Sequence, residues 1–216
     1  MEATIRNEMS GDHRIVEELT RKAFWNLYVP GCVEHYLVHV MRDHADFIPE
    51  LDYVLEQDNQ IIGNIMYTKA KLISEEGIEK PILTFGPVSI LPEYQRKGYG
   101  SKIIQHSFIR AKELGYAVIV IFGNPGNYAK LGFISCSRLD ISLGDGVFPA
   151  GMLVKELQEG TLAGKKWTYK ESDVYNIDPN EAEAFDSEFE PLEKKAQASQ
   201  EVFFILSNSR IIKNAP

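Results

Sequence analysis

Residues 95–100 read Gln-Arg-Lys-Gly-Tyr-Gly, two cations followed by two glycines one residue apart. Free backbone N–H groups at a helix start, reinforced by the positive end of the helix dipole, form a ready anion site. Gly98 and Gly100 let the chain approach a pyrophosphate closely and adopt positive φ. Arg96 and Lys97 add charge for a further phosphate. A Walker-type loop is not met, because Gly100-Ser101-Lys102 reverses the last two residues and the first glycine is missing. A dinucleotide fingerprint needs a third glycine where Ile103 stands, and this bend comes late in the chain. What is met is Gln/Arg-x-x-Gly-x-Gly, carried by Gln95, Arg96, Lys97, Gly98, Tyr99 and Gly100 and running into Ser101.

Other reactive residue types are present with weaker patterns. His35 and His39 stand four apart with His44 nearby, a metal-ligand spacing. No Glu or third ligand is fixed, so no metal site is read. Cys32 and Cys136, the two cysteines, lie far apart, which argues for buried thiols in a reducing cytoplasm rather than a disulfide framework. From Glu171 to Glu193 there are nine acids and no Lys or Arg, so the formal charge of −8 resides there and the rest is near neutral. A nucleic-acid binder needs a basic face, and none is evident. The acid run reads as a solvated face.

These residues need elements to hold them. "ATIRNEM" predicts a short strand, and Ser10 or Asp12 caps a helix whose stripe is Ile15, Val16, Leu19 and Ala23. Pro30-Gly31 breaks it, and a second helix follows over 34–43. Two strands meet across "EQDNQ". A third, "PILTFGPVSI", contains Gly86-Pro87, which signals a bulge or a splayed edge. Such a strand leaves backbone N–H and C=O groups free at Val88 and Ile90, suited to an extended amide chain. A helix over 101–114, the buried strand "AVIVIF", a short helix ending at Gly132 and the strand "MLVKEL" complete a mixed α/β domain. "VFFIL" (202–206) is apolar enough to be tied down. No apolar run approaches bilayer length, and the polar N-terminus is neither a signal nor a transit peptide.

"GPVSILPEYQRKGYGSKII" followed by "GNPGNYAKLGF" resembles the GNAT superfamily of N-acetyltransferases, over roughly residues 3–157. The resemblance implies an α/β (α+β) fold with a central mixed, mostly antiparallel sheet, splayed between its two central strands and flanked by helices. Residues 1–158 would form that domain, with 159–216 an extension packed on it. It implies acetyl-CoA as donor, its pantetheine lying along Val88, Ser89 and Ile90, its pyrophosphate on residues 95–101. Asn124 would also hold the cofactor, although the compact "FGNPGNY" brings it closer to Tyr128 than the common pattern does. Tyr128 matches the tyrosine that protonates the leaving thiolate. The acceptor would be a primary amine on a small molecule or peptide, attacking directly in a ternary complex, with an oxyanion held near Val88 to Ile90. Residues 24–31 stand where relatives shape the acceptor pocket.

The base that takes the amine proton is not fixed. "ILTFGPVSI" holds no carboxylate, Glu79 falls in the turn before it, and Glu34, His35 or a water chain stay open. A non-catalytic acyl-CoA-binding regulatory module is the alternative reading, with a nucleotide-phosphate binder less favoured. No nucleic-acid or membrane partner is implied, and a homodimer is compatible with the sequence.

Overall fold

A computed structural model describes residues 3–213. The chain runs β1 (Thr4–Asn7), α1 (His13–Phe24), α2 (Glu34–Met41), β2 (Tyr53–Gln57), β3 (Gln60–Ser74), β4 (Glu79–Ile90), α3 (Tyr99–Glu113), β5 (Val118–Phe122), α4 (Pro125–Tyr128), β6 (Ile134–Ser135), β7 (Ile141–Ser142), β8 (Met152–Glu156), β9 (Trp167–Lys170), α5 (Pro179–Asp186) and α6 (Ala198–Asn208). The sheet order is β1-β2-β3-β4-β5-β8-β6, with β9 joined to the second half of β3 and to β7. Every pairing is antiparallel except β4–β5 and β7–β9. Among the described residues no helix is long and apolar enough to cross a membrane.

Asp58 and Asn59 both take positive φ and close the β2–β3 hairpin as a tight turn. On α1 the buried stripe is Val16, Leu19 and Thr20, whereas Ile15 faces out. Thr20 displaces the expected isoleucine because its hydroxyl meets Ser89 at 2.9 Å, so a polar residue is satisfied inside. One core joins α1, α2 and α3 to the sheet. A second lies on the opposite face, where Leu72, Ile82, Val120, Met152, Trp167 and Tyr169 meet. Trp167 and Tyr169 belong to β9, so the segment after residue 158 builds part of the sheet.

The acid run is largely exposed, as expected, but its segment is also fastened to the body. Arg21, itself buried, grips Asp186 at 2.6 Å and the Glu190 carbonyl at 3.0 Å. Tyr36 bonds Glu181, His44 bonds Asp173, and Trp25 and Asn26 donate to the Glu193 carbonyl. Val174, Ala182, Phe185 and Phe189 bury beneath these pairs. The later "VFFIL" segment departs from expectation. In α6, Val202, Phe204 and Ile205 are more than half exposed. This helix touches the body chiefly through Gln200 to the Asn26 carbonyl, Phe203 stacked on Tyr28, and backbone bonds at Ala150 and Phe148.

A buried ionic network lies between the first strands and α2. Arg42 bridges Glu8 (2.8 Å) and Glu17 (3.0 Å), and Asn64 donates to Asp52 at 3.1 Å. Burial, and then a hydrogen bond shared with Glu8, pushes Asp52 up to about 9 from 3.8. The folded chain therefore holds a proton that the unfolded chain releases in this window. Stability contributed by Asp52 is full at acid pH and declines as pH rises toward the folded value. Asp52→Asn, which mimics the protonated acid, is expected to flatten that decline. Urea midpoints at acidic, neutral and mildly alkaline pH check it, and parallel curves for the two proteins would contradict the shared proton.

Candidate active site

β4 and β5 pair only at Leu83 and Ile119, and a side-chain bond from Thr84 to the Val120 carbonyl (2.9 Å) marks where they part. Past that point β4 has β3 on one edge and open space on the other. The Leu91 N–H bonds the Ile62 carbonyl, and the antiparallel register pairs Ser89 with Asn64. By the alternation of such ladders, Ser89 spends its backbone groups on β3 while Val88 and Ile90 turn theirs to the open edge. Ser89 also points its hydroxyl at Thr20. It fastens β4 to α1 and, unlike Val88 and Ile90, does not line the cleft.

The open edge forms one wall of a cleft of about 770 Å³. Val88, Ile90, Gln95, Arg96, Gly98, Gly100, Ser101 and Tyr128 line it. Arg96 (φ 59) and Gly98 (φ 90) adopt left-handed backbone, which folds the loop back on itself and aims the start of α3 into the cleft. Helix α3 starts at Tyr99, two residues before the sequence pattern suggests, because Gly98 in the left-handed region serves as its N-cap. Gln95 donates to the Ile90 carbonyl at 3.0 Å, clamping the loop to the end of β4.

Besides Ser89, three expected cofactor residues do not line the cleft. Lys97 sits over the Tyr94 ring at 5.3 Å. Tyr99 sends its hydroxyl to Gln57. Asn124 caps α4 by accepting the Gly126 N–H at 2.9 Å. Each is held by protein groups of its own.

Tyr128 enters from α4, its ring packed on Phe85 (6.0 Å) and Phe133 (5.8 Å). A Cβ at position 123 would lie 2.5 Å from Tyr128 Cε2, so Gly123 makes room for the ring. Burial raises the phenol pKa well above its ordinary value. The hydroxyl therefore stays protonated at neutral pH, a proton donor held in place beside the cleft.

The other half of the cleft is lined by Phe24, Leu27, Tyr28 and Glu34 from the α1–α2 connection, and by Phe122, Glu171 and Tyr175. Burial raises the pKa of Glu34, against the pull of its own and the Val33 N–H. Burial likewise raises that of Glu171. His35, a candidate base, lies outside the cleft and fully buried, its Nε2 3.1 Å from Asp186 and its Nδ1 3.4 Å from Cys32. Cys32, His35 and Asp186 thus form a row resembling a nucleophilic triad. Burial drives the thiol up and the imidazole down to about 4, so the row packs α5 against α2 and is not activated. His39 bonds Glu17 and His44 bonds Asp173, so the three histidines serve different partners. Glu79 begins β4 paired with Ile73, and it meets Lys71 at 2.8 Å, away from the cleft. Glu171 and Tyr175 were not anticipated from sequence. The one available cue was that Glu171 follows "WTYK", a strand-like alternation.

Comparison with known proteins follows this geometry. The Acetyltransferase (GNAT) domain family matches residues 50–135. The chain is 25% identical over 121 residues to an uncharacterized N-acetyltransferase, YjhQ of Escherichia coli K12, a match covering 56% of this chain and 62% of that protein, under two thirds of its length. It is 23% identical over 137 residues to YhbS of the same strain, covering 63% and 77%. The crystal structure of E. coli YhbS, in complex with CoA, superposes with a TM-score of 0.69 at 22% identity, over 82% of this chain and 93% of that one. A GNAT family acetyltransferase from Brucella melitensis, in complex with acetyl-CoA, gives 0.62 at 22%, over 81% and 98%. At that identity the structures speak for the fold, which is the splayed mixed sheet flanked by helices described above. Residues 50–135 thus match the GNAT acetyltransferase domain family, and the fold around them is that of GNAT acetyltransferases.

Proposed function

We propose that this protein is an N-acetyltransferase that moves an acetyl group from acetyl-CoA to a primary amine by direct attack in a ternary complex. One observation carries the reading: the start of α3, the free edge of β4 at Val88 and Ile90, and the Tyr128 side chain all open into one cleft. N–H groups at the start of α3 would bind the pyrophosphate, with Arg96 adding charge. Val88 and Ile90 would pair with pantetheine amides as a strand would, and an N–H on that edge would meet the oxyanion.

The amine must lose a proton before it attacks, since alkylamines titrate near about 10. Its nitrogen then bonds the thioester carbonyl carbon, and the tetrahedral intermediate breaks its C–S bond. The thiolate takes the Tyr128 proton, and the second surplus proton on nitrogen restores the phenol. One proton goes to solvent overall. Free thiols at Cys32 and Cys136 fit a cytoplasmic setting.

Calorimetric titration with acetyl-CoA, using NAD and ATP as controls, tests the reading. Selective binding of acetyl-CoA is expected, followed by CoA thiol release when amines are added. A folded sample that binds none of the three removes the proposal. Preference for ATP or NAD would make the bend a nucleotide site instead.

A further inference from the structure

We infer that Glu171, supplied by the segment beyond the matched domain, takes the proton from the acceptor amine. The inference rests on the acetyltransferase reading. β4 offers no carboxylate of its own toward the cleft. Where β4 and β5 separate, Thr84 donates to the Val120 carbonyl and meets the Tyr169 hydroxyl. Tyr169 in turn stands 3.4 Å from Glu171 Oε1. Glu171 is thereby placed over the splay point, on the face opposite Phe85, by a strand that joins the sheet from far along the chain. Tyr175, which lines the same wall, reaches the Gly86 carbonyl at 3.3 Å.

Proton accounting leaves this carboxylate under-supplied. Thr84 has one hydroxyl proton and directs it to Val120. Tyr169 has one and directs it to Thr84 Oγ1, the nearer acceptor. Glu171 keeps only the long end of the Tyr169 hydroxyl's reach, a 3.4 Å hydrogen bond that competes with the shorter one to Thr84. Its neighbours in the acid run are engaged otherwise: Asp173, Glu181, Glu183, Asp186, Glu188 and Glu193 meet His44, Tyr36, Lys194, Arg21, Arg14 and Lys195. Among the described residues Glu171 makes no ion pair. It lines the cleft beside two tyrosines, Tyr169 and Tyr175, and is exposed enough to meet an amine and to pass a proton on to water. Its raised pKa moves it toward the range where a base works at neutral pH. The step is a transfer from R–NH3+ to the Glu171 carboxylate, leaving neutral R–NH2 to attack. The acid then passes its proton to water.

The experiment compares wild type, Glu171→Gln and Glu34→Gln on simple alkylamines, a peptide with a free N-terminus and trifluoroethylamine, which is already neutral at neutral pH. Glu171→Gln is expected to lower kcat/KM for the strongly basic amines about 100-fold. It should affect trifluoroethylamine far less, flatten the acid limb of the pH profile and leave acetyl-CoA binding unchanged. A merely structural role would depress all acceptors alike, and that result overturns the inference. So does full activity in Glu171→Gln, or the basicity-dependent loss appearing in Glu34→Gln instead. If wild type binds acetyl-CoA yet acetylates nothing in the panel, the acetyltransferase reading falls and this inference with it. An active wild type with an unaffected variant removes the inference alone.

Discussion

Tyr128→Phe is expected to lower kcat about 100-fold to 1,000-fold while acetyl-CoA binds as tightly as before. The substitution removes one hydroxyl and keeps the ring that packs on Phe85 and Phe133, so the surrounding core has no reason to move. What goes is the proton available to the leaving sulfur. Because burial holds the phenol well above neutral pH, wild type stays in its donor form across the physiological range. Isothermal titration gives the binding arm and thiol release gives the turnover arm. Equal turnover in the two proteins would mean that the thiolate departs unprotonated or takes its proton from water. The same pair of measurements separates an enzyme from a module that only binds acyl-CoA, since such a module has no turnover to lose.

Gly100→Leu is expected to act in the opposite way, removing cofactor binding while sparing the fold. A Cβ at Gly100 meets only Ile90 Cγ1, at 3.8 Å, which is ordinary contact. The longer side chain then extends toward the cleft that the start of α3 lines. Denying the pyrophosphate even one charge-assisted backbone bond costs about 2 kcal/mol, a loss of about 30-fold in affinity. Thermal unfolding without ligand should stay close to wild type, because leucine suits a helix better than glycine. A variant that binds acetyl-CoA normally would show that the pyrophosphate lies elsewhere. One that fails to fold would show that the space at position 100 serves packing.

The glycine bend that opens α3 was legible because it is local. Gly98, Gly100 and the strand before them lie within a short stretch whose turn chemistry is written in the residue types. Its side-chain details were less so. Ser89, Lys97 and Tyr99 fall inside the motif, yet their partners Thr20, Tyr94 and Gln57 are set by packing. Thr20 was missed on α1 for a related reason: periodicity favours apolar residues, and a threonine satisfied by a serine from β4 breaks that rule. The wall of the cleft carrying Glu171 and Tyr175 depends on pairings distant in sequence, Leu72 with Tyr169 foremost. No window along the chain reveals such a join, and so the acids after residue 170 read as one undifferentiated run.

That join also sets where the chain can be cut. One edge of β3 is shared, β2 covering Gln60 to Ile65 and β9 covering Lys71 to Ser74. A protease nick in the exposed loop between Glu156 and Trp167 would let the C-terminal piece peel from half of that edge, and Glu171 would leave with it. The piece left behind would keep the start of α3, Val88, Ile90 and Tyr128, facing Phe24, Tyr28 and Glu34 across a cleft that has lost Glu171 and Tyr175. Trimming the protein to its matched domain is therefore a poor route to a minimal version, because the homologous boundary runs through the machine.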